Sequence, residues 1–224
     1  MLLARLRWWR GLESSGRRAT IGGILEASAY DGAMPEQATS LPFSGDAEAD
    51  ALLASSPLAL LIGFALDQQV TVQKAFSGPM ELVRRTGGLD AATIAAMEPE
   101  RLAEVFRTPP ALHRFPGMMA GRVQELCAVV AADYGNDASR IWRDAADAKD
   151  LRARLKALPG IGEGKSATII GVLVNRFGVQ PAGWEAQVPS GPTLADVDSA
   201  DALATYQAGK RAHKAEARAA GGKT

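Results

Sequence analysis

The sequence predicts an all-α protein, on three observations. Apolar residues recur at helical spacing in separate segments, most clearly at Val123, Leu126, Cys127, Val130 and Ala131. The run Leu58 to Leu66 is apolar nearly all round, the pattern of a helix buried in a core. Leu151, Leu155 and Leu158 precede the turn Pro159-Gly160-Ile161-Gly162, and Ala167, Ile170 and Val174 follow it. Two helices therefore meet at a short Pro-Gly break.

A chain of 224 residues, 47% of them hydrophobic, is long enough for one large domain or two small lobes. No apolar run approaches the roughly 18 residues of a membrane span. The single cysteine, Cys127, excludes an intramolecular disulfide and any four-cysteine zinc or iron–sulfur site. It lies in an apolar helical run and reads as a core residue. Two histidines, His113 and His213, argue against a transition-metal site.

Net charge is zero but uneven. Residues 1–18 carry five Arg and one Glu, so +4; residues 209–224 carry five Lys and Arg against Glu216, again +4. The body between them is therefore acidic. That argues against a purely electrostatic DNA binder and leaves room for a local site gripping a few phosphates.

In chain order, residues 1–40 read as a poorly ordered basic extension, with Met1 to Leu12 a short Arg-rich amphipathic helix. Order begins near Leu41. Asp46 is the expected N-cap of a helix from Ala47 to Ser55, and Ser56-Pro57 restarts the next. That helix is the all-apolar one, and it ends in Asp67-Gln68-Gln69. Pro79 to Arg85 and Asp90 to Met97 read as short helices, and Glu98-Pro99 starts another running through Phe106. Residues Thr108 to Met118 read as a Pro-containing loop, and Met119 to Tyr134 as a strong helix closed by Gly135 and Asn136. The hairpin spans 147–177, a Gly/Pro-rich loop with two Asp residues spans 178–199, and a terminal helix runs from Ala200 to about Ala219, leaving 220–224 as a tail.

The hairpin turn carries chemistry because the first amides of a helix have no partner within it. Gly160, Gly162 and Gly164, with Ser166 and Ala167, keep those amides open to an anion, so the turn is a natural phosphate site. Such a contact positions a nucleic-acid backbone without reading sequence.

The pattern Leu-Pro-Gly-Ile-Gly with a small-residue helix start resembles the helix-hairpin-helix of DNA repair and replication proteins. The apolar helix ending in Gln68-Gln69 before it, and the Gly/Pro loop with Asp after it, extend the resemblance. They look like the helix-hairpin-helix/Gly-Pro-Asp superfamily of base excision DNA glycosylases, here without an iron–sulfur cluster. The likeness covers most of the chain after residue 41. It implies a two-lobed fold, a cytoplasmic, nucleoid-associated setting, and action on duplex DNA containing a damaged base, an alkylated base among the candidates. A monomer is expected. Gln68 or Gln69 would enter the duplex beside the flipped base, and Arg122, near the start of a comparable helix, would add a basic contact. Gly160, Gly162, Gly164, Lys165 and Ser166 would hold a phosphate, with a monovalent cation on the hairpin carbonyls as the one candidate cofactor. Phe64, Trp142 and Trp184 are candidates to line a base pocket.

The resemblance also implies a carboxylate that stabilises the sugar cation or activates water. Asp196 is the favoured candidate, with Glu185 and Asp198 as alternatives; Asp198 and Ser199 also read as caps of the last helix. Asp196 lies 32 positions after Gly164, further than the family's acid, and Glu185 lies 21 positions after it. Members that cleave the strand use a hairpin lysine. Ungapped alignment puts Gly164 at that position and Lys165 one step on, turned by about 100°. The expectation is a monofunctional glycosylase, with lyase chemistry through Lys165 left open. The alternative is a non-catalytic DNA-binding or damage-sensing protein that keeps the hairpin and has lost the acid.

Overall fold

The computed structural model describes residues 37–221. The expectations for the basic extension up to residue 36, and for residues 222–224, lie outside them. The described residues form ten α-helices and no strand, so the all-α expectation is met. They are α1 (Ala47–Ser55), α2 (Pro57–Leu66), α3 (Val72–Thr86), α4 (Ala91–Ala95), α5 (Pro99–Arg107), α6 (Pro116–Asp133), α7 (Arg140–Arg143), α8 (Ala148–Ala157), α9 (Glu163–Phe177) and α10 (Ala200–Gly221).

Local chemistry sets many of the boundaries. Asp46 accepts the Glu48 and Ala49 amides, and Ser56 accepts that of Ala59 with Pro57 in the first turn. Thr71, Asp90 and Asp147 cap α3, α4 and α8 in the same way. Ahead of α1, the buried Asp50 carboxylate gathers the Phe43 and Ser44 amides and the Ser44 hydroxyl, which seats Leu41 and Phe43 in the core.

Helix α2 is the hub, with Leu58 to Leu66 all buried. It crosses α3 closely at two glycines. A Cβ at Gly63 would come within 2.6 Å of Phe76, and one at Gly78 within 2.5 Å of Leu66. By packing, α1 to α6 form one group, while α7, α8, α9 and α10 with the intervening loop form another; one buried apolar cluster runs through both.

Four expectations change. The short helix at Pro79 is the second half of α3, which continues through the proline from Thr71 to the left-handed cap at Gly87. The missing amide bond costs about 3 kcal/mol, and burial of Pro79, Phe76 and Leu82 against neighbouring helices offsets it. The Thr108–Met118 loop is shorter, because Pro116 starts α6 from its first turn. The four-residue α7 was not anticipated; Asp137 accepts the Ser139 amide and hydroxyl there and turns the chain. The terminal helix is also slightly longer, reaching Gly221.

Candidate functional site

The hairpin is α8, the turn Leu158 to Gly162, and α9. Glu163 sits in the first turn of α9, and its carboxylate is drawn back onto α8 by Arg152 at 2.7 Å and Lys156 at 2.5 Å. The hydrogen bond from Lys156 above all, with the charges of Arg152 and Lys156, holds that carboxyl below the usual range, against desolvation, which raises it. With Glu163 tied back, the opening amides of α9 face outward. Gly162 caps the helix without a side-chain bond, and a Cβ at Gly162 or Gly164 would meet only open space. Both glycines are exposed, so an anion has free approach.

Gly160 is a different case. Its φ of +86° is left-handed, and a Cβ there would lie 2.7 Å from Arg122 Cδ and 3.4 Å from Ala65 Cβ. The hairpin turn is therefore pressed against the end of α2 and the first half of α6. Arg122 lays its stem over Gly160 and donates from Nη1 to Gln68 Oε1 at 2.8 Å. One arginine joins three elements.

The turn after α2 is pinned from the other side by His113. Its ring is 1% exposed. Nε2 donates to the Gln68 carbonyl at 3.0 Å, and Nδ1 accepts the Phe115 amide at 3.0 Å. That pairing needs a neutral ring, and burial lowers the His113 pKa, with Arg114 and Lys74 adding to it against two carbonyl contacts that oppose it. Between these anchors the chain adopts φ +55° at Gln69, a left-handed conformation that is costly for a residue with a Cβ. Gln69 is exposed, while Gln68 is half-buried and turned inward. Of the two glutamines, Gln69 is the one that projects.

Lys165 completes the cluster. Its Nζ donates to the Gly160 carbonyl at 3.0 Å and lies 3.5 Å from that of Ala65. The 100° rotation away from the Gly164 direction is bridged by the lysine's long stem, which reaches back into the mouth. Burial lowers its pKa from 10.5 to about 8; Arg122 adds to this and Asp67 opposes it. The ammonium thus occupies the Gly160 carbonyl, one of the hairpin carbonyls where a cation was expected. Asp67, the residue that ends α2, is half-buried beside it. Burial raises the Asp67 pKa, against the pull of Lys210 and Lys165. No cation comes within 4.0 Å of its carboxylate among the described residues.

The other predicted residues lie apart from this mouth or turn away from it. Ser166, expected at the phosphate site, is fully buried and its hydroxyl donates to the Glu163 carbonyl. Asp196 is exposed and closes its own 3-10 turn, Leu194–Asp196, by accepting the Thr193 amide at 2.8 Å. That turn packs where Ala195 meets Gly171, six residues beyond Lys165 and so about 9 Å along α9. Glu185 is exposed in a second 3-10 turn, Trp184–Ala186. The same loop is tied to Ala148, at the end of α8 away from the hairpin turn, and to Arg152. Asp198 is exposed beside Arg176 and Gln37, and Ser199 alone supplies the side-chain cap of α10. Phe64 packs edge-on against Phe76 inside the core, and Trp142 and Trp184 lie partly buried against that core. Cys127 is fully buried in α6, where burial raises its thiol to about 12.

The structure thus brings together Asp67, Gln68, Gln69, His113, Arg122, Gly160, Gly162, Gly164 and Lys165. Sequence reasoning missed Asp67 and His113. Asp67 was legible as a charge ending an apolar helix; no local signal set His113 apart. No family model matches the chain, and no curated protein or solved structure matches it either.

Proposed function

We propose that this protein binds duplex DNA at a damaged nucleotide and breaks its N-glycosidic bond, as a two-lobed helix-hairpin-helix glycosylase of base excision repair. One observation carries the reading: the open amides of the hairpin, the projecting Gln69 and the half-buried Lys165 converge on one mouth. The amides at Gly162 and Gly164 hold a backbone phosphate. Gln69, rigidly presented, fills the stack where a base has been extruded. Arg122, Lys165 and Lys210 supply local positive charge within an otherwise acidic body.

For the bond-breaking group we favour Lys165 over Asp196. Asp196 is exposed and engaged with Thr193. An amine of pKa about 8 is partly unprotonated near neutral pH and is a competent nucleophile toward the sugar carbon C1′. The charge balance argues the same way. A sugar cation beside two lysines and one carboxylate would be repelled, whereas a neutral amine is suited to attack there.

The test is a panel of duplexes with single lesions: uracil, hypoxanthine, 3-methyladenine, 8-oxoguanine and adenine mispaired with 8-oxoguanine. Strand breaks without alkali are expected on the substrate duplex and identify its base. Breaks only after alkali would restore water chemistry and the carboxylate candidates. Salt-dependent binding with no breaks on any duplex would favour the non-catalytic damage-sensing reading.

A further inference from the structure

We infer that Asp67 is the proton acceptor and donor that works with Lys165, taking the part expected of the acid in the Gly/Pro loop. The inference rests on the glycosylase reading above. Its first support is position. Asp67 ends α2 one residue before Gln68, on the turn that His113 and Arg122 hold rigid. The Lys165 ammonium reaches the same helix end through the Ala65 carbonyl, two residues before Asp67.

The second support is the state of the carboxylate. Among the described residues other shielded carboxylates are engaged: the buried Asp50 accepts from Ser44, and the half-buried Asp137 from Ser139. Asp67 forms no ion pair within 4.0 Å and no side-chain hydrogen bond among the described residues. It faces Lys165 from α9 and Lys210 from α10, and Arg122 of α6 adjoins Lys165. Its carboxylate stands more than 4.0 Å from any cation among the described residues and takes no hydrogen bond there, so it is free to accept from a water or a sugar atom beside the amine.

The neutral Lys165 amine forms a bond to C1′ while the C1′–base bond breaks, and the base departs with the electron pair, taking a proton from solvent. The new secondary ammonium gives one proton to Asp67. The C1′–O4′ bond then opens, Asp67 returns the proton to O4′, and the nitrogen lone pair completes the protonated imine. Asp67 ends as the carboxylate it began as.

The experiment compares wild type with D67N, using the full chain. Binding to a duplex with a tetrahydrofuran abasic analogue should be equal or tighter in D67N, because a negative charge has been removed. Single-turnover base release should fall about 100-fold or more. The titration midpoint of Lys165, followed by NMR of its side-chain carbon, should move to lower pH in D67N, since the carboxylate supports the ammonium. The pH–rate profile should shift with it. Unchanged base release and an unmoved Lys165 midpoint would overturn the inference while leaving the glycosylase reading intact. Loss of base release in D196N with survival in D67N would do the same. Failure of wild type to release any base would overturn both.

Discussion

Replacing Lys165 by methionine should make the protein more stable and inactive together. Moving the ammonium from water into the mouth lowers its pKa from 10.5 to about 8. That shift corresponds to a cost on the order of 3 kcal/mol for keeping the charge buried. Part of the side chain still meets water, and the Gly160 carbonyl loses a donor in the variant, each of which reduces the gain. The net expectation for K165M is about 1–2 kcal/mol of added stability at pH 7, a normal yield for removing a buried charge. The pH dependence carries a second signature. Between pH 8 and 10.5 the unfolded chain binds a proton at Lys165 that the folded chain does not, so wild-type stability gains with rising pH through that window. The advantage of K165M should therefore shrink from pH 8 upward and be largely gone by pH 10.5. Urea titrations of both proteins at a series of pH values read this directly. A K165M protein less stable than wild type at pH 7, or an advantage independent of pH, would refute the buried-charge argument.

Other perturbations follow from the same cluster. G160A places a Cβ against Arg122 Cδ at a φ of +86°; it should cost about 1–3 kcal/mol by denaturation and weaken DNA binding by displacing the arginine. Q69G removes the penalty at φ +55° and should gain up to about 1 kcal/mol in stability, while affinity for a duplex with an abasic analogue falls. His113 is held neutral below its ordinary 6.5. As pH falls through and below 6.5 the unfolded chain takes up a proton first, so stability should drop from pH 7 toward pH 5. In H113L that extra acid sensitivity should be lost, which urea midpoints at the two pH values measure.

Much of the fold was legible because its signals are local. Asp46, Ser56, Asp90 and Asp147 cap the helices they precede, and the apolar stripe of α6 needs no partner to be seen. Pro79 misled because helix breaking is a local cost and α3 recovers it through tertiary burial. Ser166 carried a usable signal: it lies three, four and seven residues before Ile169, Ile170 and Leu173, on the face that α9 buries. Lys165 and Asp67 lie 98 positions apart, and neither local sequence shows that the end of α2 abuts the hairpin. In the Gly/Pro loop Asp196 has the right chemistry and is bonded to its own turn.

The most direct measurement is covalent capture. The protein is incubated with a duplex containing a single abasic site in the presence of borohydride, and any adduct is located by mass spectrometry of the digested complex. The account predicts a stable protein–DNA adduct on Lys165, absent in K165M although that variant is folded and binds the duplex. Full binding without an adduct, or an adduct at another residue, would contradict it.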